Sequence, residues 1–223
     1  MQIQNKGELI IKSGQGVAVS PRLILTALHN MEVGTDFDIT SLSGTQSNGA
    51  VAVASYEDNK VDIALLRLKD GQTPFQHWLP VATRPIEIEE RVSVVSLQPG
   101  LAGGFGFASQ PTRIYMVDHD TALCRAQYYA MDGLSGSGII TAPNPADGRV
   151  YVVGVHVASH DSTEAPPPIK KKKGGVADAE SLSRSSDALA RAIHGHSSYC
   201  FICVANMVPE IMEAISQDIR DIR

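Results

Sequence analysis

The chain has 223 residues, of which 43% are hydrophobic and 19% are charged, and its net charge is −5. This composition is that of a globular protein long enough to bury a substantial core. It excludes a generally basic, nucleic-acid-binding surface, a membrane-spanning apolar run and, with three cysteines, a disulfide framework. The first residues lack the apolar segment of a secretory signal, so either the protein stays inside a cell or the chain begins after processing. With only three cysteines, we expect a cytoplasmic protein.

The first third of the chain has the pattern of short strands separated by turns. Segments rich in β-branched and other apolar residues alternate with glycine, serine and asparagine, and cover residues 8–11, 16–19, 22–28, 36–40, 49–55 and 62–68. Regular short strands with turn signals predict a sandwich or barrel. Residues 72–90 carry three prolines and are the predicted crossing between two domains. Trp78 in this crossing either packs across the domain boundary or is exposed.

The second half continues with strands and ends in a helix. Strands are predicted over residues 91–97, 112–117, 123–130, 149–157 and 198–205. The glycine-rich residues 99–107 lack the lysine of a phosphate-binding loop and predict only a turn. After Pro209, apolar residues repeat at helical spacing through Ile219, which predicts a C-terminal helix.

The sequence Gly133–Gly138 (GLSGSG) stands directly before the apolar pair Ile139 and Ile140. Three glycines in six residues disfavour a helix and allow a tight bend that exposes one hydroxyl and frees nearby N–H groups. Ser135 is therefore a candidate nucleophile, and the amides of Gly133 and Ser135 are candidate donors to an oxyanion. The alternative is an ordinary hairpin loop.

A serine hydroxyl needs an adjacent base, which is in turn oriented by a carboxylate. His29 lies in the segment Leu25–Asn30 (LTALHN), after its apolar part, and Asp62 begins the apolar segment DIALL. Singly, each is more often a structural histidine or a turn aspartate. Together and in this order, Thr-Ala-x-His, Asp-Ile-Ala-Leu-Leu and Gly-x-Ser-Gly resemble the chymotrypsin/trypsin-like serine peptidases.

The resemblance implies an all-β fold of two six-stranded antiparallel β-barrels with a C-terminal α-helix. It implies His29 as general base, Asp62 as the residue that orients it and Ser135 as nucleophile, with an oxyanion hole at Gly133 and Ser135 and no cofactor. On this basis residues 1–80 form the first barrel, 90–207 the second and 208–223 the helix. The substrate is then a protein or peptide.

The strand that lines the specificity pocket in the family reads here Val153 to Ser159 (VGVHVAS). Gly-x-His at this place resembles the glutamyl endopeptidases and the picornavirus-type proteases, in which the histidine contacts an acidic or glutamine side chain before the scissile bond. An imidazole can donate to either oxygen. We therefore expect a pocket of His156 and Ser159, with Ala130 adding no polar group. A histidine packed for structure is the alternative.

Two features depart from the family or leave the function open. Leu134 stands where mammalian digestive relatives have the aspartate that pairs with a new N-terminus, so activation by that ion pair is not expected. Activity is then constitutive or controlled by a partner. A non-catalytic binding module that retains the fold, and an esterase acting on small esters, are the competing functions.

Residues 160–198 are rich in proline and lysine, with four consecutive lysines at 170–173 and a short helical pattern at 186–193. This composition predicts a solvated insertion, which is either a tolerated surface loop or a lid or docking loop over the substrate site. The insertion is also the expected contact for any regulatory partner. His194, His196, Cys200 and Cys203 have the side-chain types of a zinc site, but the pairs are closely spaced and residues 199–204 alternate like a strand. We expect no metal.

Overall fold

A computed structural model describes residues 2–6, 11–31, 36–41, 46–55, 61–97, 106–130, 133–160 and 197–221. These contain fourteen strands, two 3₁₀ turns (Leu28–Met31 and Ala205–Met207) and one α-helix, α1 (Pro209–Asp221). The strands are β1 (Gln2–Lys6), β2 (Ile11–Gln15), β3 (Val17–Ala18), β4 (Leu23–Thr26), β5 (Asp36–Thr40), β6 (Gln46–Ser55), β7 (Ala64–Leu68), β8 (Arg91–Leu97), β9 (Gly106–Ala108), β10 (Thr112–Asp118), β11 (Leu123–Tyr129), β12 (Gly138–Thr141), β13 (Val152–His160) and β14 (Ser197–Val204).

The first seven strands form one antiparallel sheet in the order β2-β1-β5-β6-β7-β4-β3. Its end strands, β2 and β3, are consecutive in the chain and are parted by Gly16 alone. Strands β4 and β7 pair with Leu25 opposite Leu65 and Thr26 opposite Ala64. Leu25 and Leu65 face the core between the two sheets, whereas Ile24 and Leu66 face the inside of the first sheet. Both faces are buried, which explains why these strands read as continuous apolar runs.

The second sheet has the order β10-β11-β14-β13-β12-β8-β9, and an additional pairing of β10 with β8 closes six of its strands into a barrel. Its interior is a separate apolar cluster that includes Val94, Ile114, Ile139 and Ile202. The expected pair of six-stranded barrels is therefore confirmed in part. The described residues contain one closed six-stranded barrel, a seven-stranded antiparallel sheet and a C-terminal helix.

Most predicted strands form within the described residues, residues 8–10 of the first lie outside them, and two differences have physical causes. Strand β1 was not expected, because only Ile3 among its five residues is apolar. It forms nonetheless, and the Ile3 side chain is buried in the first sheet. The prediction of a turn through residue 107 is wrong at its end, where β9 pairs with β8 despite its glycine. Trp78 is exposed, at 41% of its surface. The predicted helix at 186–193 and nearly all of the 160–198 insertion lie outside the described residues.

A third apolar cluster joins the two sheets and the helix. It combines Leu23 and Ile63 of the first sheet with Val155 of the second and with Ile211 and Ile215 of α1. Burial of this shared surface holds the two sheets together, because each Å² of apolar area removed from water stabilises the fold by roughly 25 cal/mol. No helix in the described ranges is long and apolar enough to cross a membrane.

Asp218 attaches α1 to the first sheet. Its side chain is buried, and its two oxygens accept from the Ser20 hydroxyl at 2.6 Å and from Arg67 Nη1 at 2.7 Å. Arg67 keeps 37% of its side-chain surface exposed. The carboxylate is thus the desolvated partner, and the guanidinium remains in contact with water.

This asymmetry predicts that removing the cation costs more than neutralising the anion. Arg67→Met leaves a buried carboxylate without its countercharge and should lower the free energy of unfolding by about 3–5 kcal/mol. Asp218→Asn keeps an acceptor for Ser20 and leaves a hydrated arginine, and should cost about 1–2 kcal/mol. Urea denaturation measures both. Arg113→Met, which breaks the pair with Glu89 that is exposed on both sides, is the control and should cost at most about 1 kcal/mol. An equal or reversed order for the first two variants contradicts this account.

Candidate active site

The pairing of β4 with β7 brings His29 and Asp62 together. Because Thr26 lies opposite Ala64, the residues that follow β4 and those that precede β7 leave the sheet at the same edge. Ala27 and Ile63 are buried in the shared core, which holds both connections against the sheet. His29 then lies in the 3₁₀ turn that begins at Leu28.

Asp62 contacts His29 with both carboxylate oxygens. Oδ2 lies 2.6 Å from the ring nitrogen Nδ1, and Oδ1 accepts the backbone N–H of His29 at 2.9 Å. Each side chain keeps about one third of its surface exposed. The two contacts orient the imidazole with its Nδ1–H toward the carboxylate and leave Nε2 as the basic nitrogen.

The loop that carries Ser135 has the bend that its glycines predict. Gly133 and Gly136 have φ angles of +86° and +85°, in the left-handed region that favours glycine. The Ser137 N–H donates to the Leu134 carbonyl at 2.8 Å, and the Leu134 side chain is fully buried. Leu134 is therefore a core residue of this loop.

Both sheets hold the loop. From the first sheet, the Gln15 N–H and the Asn30 side-chain Nδ2 donate to the Ser135 carbonyl at 2.7 and 3.0 Å. From the second sheet, the His156 carbonyl accepts from the Gly136 N–H at 2.8 Å, and the His156 N–H donates to the Ser137 carbonyl at 2.9 Å. Ser135 thus lies at the boundary between the sheets, attached to the residue that follows His29.

All three residues of the predicted triad lie at this boundary, but only two of them are in direct contact. His29 and Asp62 are in direct contact, and Ser135 is linked to their turn through Asn30. Among the described hydrogen bonds, none joins the Ser135 hydroxyl to the His29 ring, and none has the amide of Gly133 or Ser135 as donor to a described residue. The catalytic roles of these residues stay predictions.

His156 is buried and paired with a tyrosine that the sequence did not single out. Its Nδ1 lies 2.7 Å from the Tyr128 hydroxyl, with the two rings edge to face. Burial, and secondarily the charge on His29, lowers the pKa of His156 to about 4. Burial also raises the pKa of Tyr128 well above its ordinary value. At neutral pH both groups are uncharged.

The other two residues of the predicted pocket are placed differently. Ser159 lies three residues beyond His156 on β13 and is exposed. Ala130 is half-buried and packs against the cluster that contains Tyr128. The structure thus places Ala130 against the core of the second barrel and Ser159 exposed near the end of β13.

Cys200 and Cys203 belong to different cores. Cys200 lies inside the second barrel with Cys124, whereas Cys203 faces the core between the sheets. Burial raises the pKa of Cys124 and of Cys200 to about 12. Side chains on opposite faces of β14 cannot bind one ion. Within the described residues no group of three or more His, Cys, Asp or Glu is placed to hold a metal, and His194 and His196 lie outside them.

Sequence reasoning missed three residues of this site: Tyr128, Asn30 and Gln15. Asn30 directly follows the predicted base, and its amide is a plausible donor to any nearby carbonyl. Tyr128 has an inward place in the alternation of β11. Gln15 acts through its backbone N–H, and the pattern of side chains along a sequence does not predict which backbone N–H groups will contact a distant loop.

The glycine at position 136 has a steric as well as a conformational role. A Cβ there would lie 2.0 Å from the Gln15 carbonyl oxygen and 2.5 Å from Thr26 Oγ1. Gly71 has a similar φ of +82° with nothing within 4 Å of its Cβ position. Gly71→Ala should therefore cost only the left-handed strain of about 1–2 kcal/mol. Gly136→Ala should cost distinctly more, measured as the free energy of unfolding in urea, and equal losses would contradict the clash.

Comparison with other proteins shows the fold. No protein-family model matches the sequence, and a sequence search of curated proteins finds no match. The structure is similar to tobacco etch virus protease complexed with product, with a TM-score of 0.60, 17% identity and coverage of 98% of this chain and 77% of that one. It is similar to a protease from M. tuberculosis in its active form, with a TM-score of 0.60, 18% identity and coverage of 96% and 79%.

A serine endoprotease from Yersinia pestis also matches, with a TM-score of 0.59 and 17% identity over all of this chain and 63% of that one. The neighbours are chymotrypsin-fold proteases that align over nearly the whole chain. The expected resemblance is thus confirmed at the level of the fold, and this chain has the chymotrypsin-like fold.

Proposed function

We propose that this protein is a serine endopeptidase in which His29, Asp62 and Ser135 form the catalytic triad. The observation that carries the proposal is the two-point contact of Asp62 with His29, at 2.6 and 2.9 Å. An aspartate that only ended a turn would not need to bind both the ring and the backbone of one histidine. This arrangement fixes the tautomer that a general base requires.

The reaction is acyl transfer in two steps. His29 Nε2 takes the proton of the Ser135 hydroxyl as Oγ attacks the peptide carbonyl carbon, and the N–H groups of Gly133 and Ser135 stabilise the oxyanion. Each such donor contributes about 10²–10³ in rate. His29 then gives the proton to the leaving amine, and the C–N bond breaks. Water, deprotonated by His29, attacks the acyl ester, the bond between the acyl carbon and Oγ breaks, and His29 returns the proton to Ser135 Oγ. When substrate binds, the Ser135 hydroxyl must rotate to form a hydrogen bond with His29 Nε2. Catalytic hydrogen bonds are often long in free enzymes and shorten in the substrate complex.

The buried His156 supports a preference for glutamine before the scissile bond. If the Tyr128 hydroxyl donates to Nδ1, the neutral imidazole carries its proton on Nε2 and can donate it to a carboxamide oxygen. A neutral donor also accepts a glutamate, but it provides no positive charge to offset desolvation of the carboxylate. We therefore propose glutamine over glutamate. The neighbours support a peptide substrate in general, since structures of tobacco etch virus protease were determined with product and with substrate.

Labelling with a fluorophosphonate tests the nucleophile. We expect wild-type protein to be labelled and Ser135→Ala to lose both labelling and peptide cleavage, with kcat reduced by a factor on the order of 10⁶. Ser137→Ala is the matched control. Its hydroxyl is buried in the same loop and has no hydrogen-bond partner among the described residues, so labelling should persist.

The competing functions give different results in the same experiment. A non-catalytic binding module predicts that no serine of the wild-type protein is labelled. An esterase predicts labelling at Ser135 and turnover of nitrophenyl esters without cleavage of any member of a peptide library. Either result contradicts the proposal.

The tyrosine–histidine pair predicts how specificity responds to mutation. On peptides that differ only in the residue before the scissile bond, kcat/KM should be highest for glutamine. Tyr128→Phe removes the group that fixes the tautomer, and the glutamine preference should fall roughly tenfold, which corresponds to one hydrogen bond.

Tyr151→Phe is the control for this measurement, because its hydroxyl donates to Asp147 at 2.8 Å in an exposed hairpin. It should leave the preference unchanged. A preference for glutamate in the wild-type protein, or equal preferences in all three proteins, would contradict the assignment of His156.

A further inference from the structure

We propose that Asn30 is a positioning residue for the nucleophile: its side-chain amide holds the Ser135 carbonyl and so fixes Ser135 relative to His29. The inference rests on the proposed function, and it adds to the triad a group that touches neither substrate nor the reacting atoms. Asn30 is 6% exposed and lies in the same 3₁₀ turn as His29.

Asn30 belongs to a closed ring of hydrogen bonds in which every donor and acceptor has a consistent role. The Thr26 hydroxyl donates to the Gln15 carbonyl at 2.6 Å, and the Gln15 N–H donates to the Ser135 carbonyl at 2.7 Å. Asn30 Nδ2 donates to the same carbonyl at 3.0 Å and to Thr26 Oγ1 at 3.3 Å. Thr26 uses its single proton on Gln15, so its oxygen is free to accept from Asn30.

The Ser135 carbonyl therefore accepts two hydrogen bonds, one for each of its lone pairs. A carbonyl held from two directions cannot rotate without breaking at least one bond, so the plane of the peptide between Ser135 and Gly136 is fixed. The orientation of this peptide determines where the Ser135 Cα–Cβ bond points. Asn30 thus acts on the hydroxyl through the backbone.

The Asn30 amide packs closely against two glycines. A Cβ on Gly14 would lie 2.3 Å from Asn30 Nδ2, and one on Gly136 would lie 3.0 Å from it. Thr26 and Gln15 are buried, with 0% and 2% exposure. A buried amide without partners costs about 1–3 kcal/mol, so the ring is stable only while all of its members are present.

The consequence is a short mechanical connection between base and nucleophile. Asp62 holds His29 from one side, and the next residue in the chain holds Ser135. Two catalytic groups on different sheets are thereby joined by one turn and one side chain, which is the kind of fixed geometry that lowers an attack barrier. A displacement of about 1 Å in such a pair can cost 10²-fold in rate.

The test compares Asn30→Leu and Asn30→Asp with wild type. Leucine has the branched shape of asparagine but carries two bulkier methyl groups and no donor. Aspartate has the size of asparagine and places an acceptor against the Ser135 carbonyl. We expect kcat to fall roughly 10- to 100-fold with KM unchanged, and the fluorophosphonate labelling rate to fall by the same factor.

Asn206→Leu is the matched control. Asn206 Nδ2 also donates to a distant backbone carbonyl, that of Arg84, in another part of the structure. This variant should change the melting temperature without changing kcat. A purely structural role for Asn30 predicts the same result for Asn30→Leu, namely a lower melting temperature with normal kcat below it, and that outcome would overturn the inference.

Failure of the proposed function is recognised separately. If wild-type protein is neither labelled at Ser135 nor able to cleave peptides, the function falls. Crystal structures of wild type and Asn30→Leu then decide the positioning role. A Ser135 carbonyl that turns away from Gln15 in the variant supports it, and an unchanged loop overturns it.

Discussion

The apolar core shared by the two sheets is the constraint on which the site depends. Leu25 and Leu65 of the first sheet pack in the same cluster as Val155 of the second and Ile211 of the helix. Hydrophobic burial is non-directional and sets how closely the sheets approach, but not which polar groups meet at their boundary. Strand register decides that, because each strand presents its residues to the two faces with a period of two.

Polar groups complete the boundary where the apolar core ends. The ring formed by Thr26, Gln15, Asn30 and the Ser135 carbonyl lies between the sheets, and its members are almost fully buried. In such surroundings hydrogen bonds are stronger than in water and their loss is costly. This explains why a glycine-rich loop can have a defined shape. The flexibility of its glycines serves to reach the geometry, and the bonds from both sheets then maintain it.

The same loop connects the candidate pocket to the candidate nucleophile. The backbone of His156 donates to Ser137 and accepts from Gly136, while its side chain meets Tyr128. Under the proposed function, a substrate side chain bound at His156 would lie against a strand that is directly hydrogen-bonded to the loop of Ser135. Binding energy at His156 could then help to align the reacting centre.

The sequence by itself determined the all-β character, the C-terminal helix and the order of the three motifs. These predictions used local signals: apolar runs such as LILT in β4, the glycine spacing around Ser135 and the helical periodicity after Pro209. Local signals can be interpreted without knowing which residues are in contact in the fold. The resemblance built on them predicted the fold that the structural neighbours share.

Only the tertiary structure decided which groups surround the candidate residues. The pairing of Thr26 with Ala64 brings Asp62 to His29, and contacts across 105 and 28 positions bring Asn30 to Ser135 and Tyr128 to His156. The strand at Gln2–Lys6 and the pairing of β9 escaped prediction for the same reason. Each of these features arises from partners that are distant in the chain, and a hydrogen bond between distant residues leaves no periodic pattern in either segment.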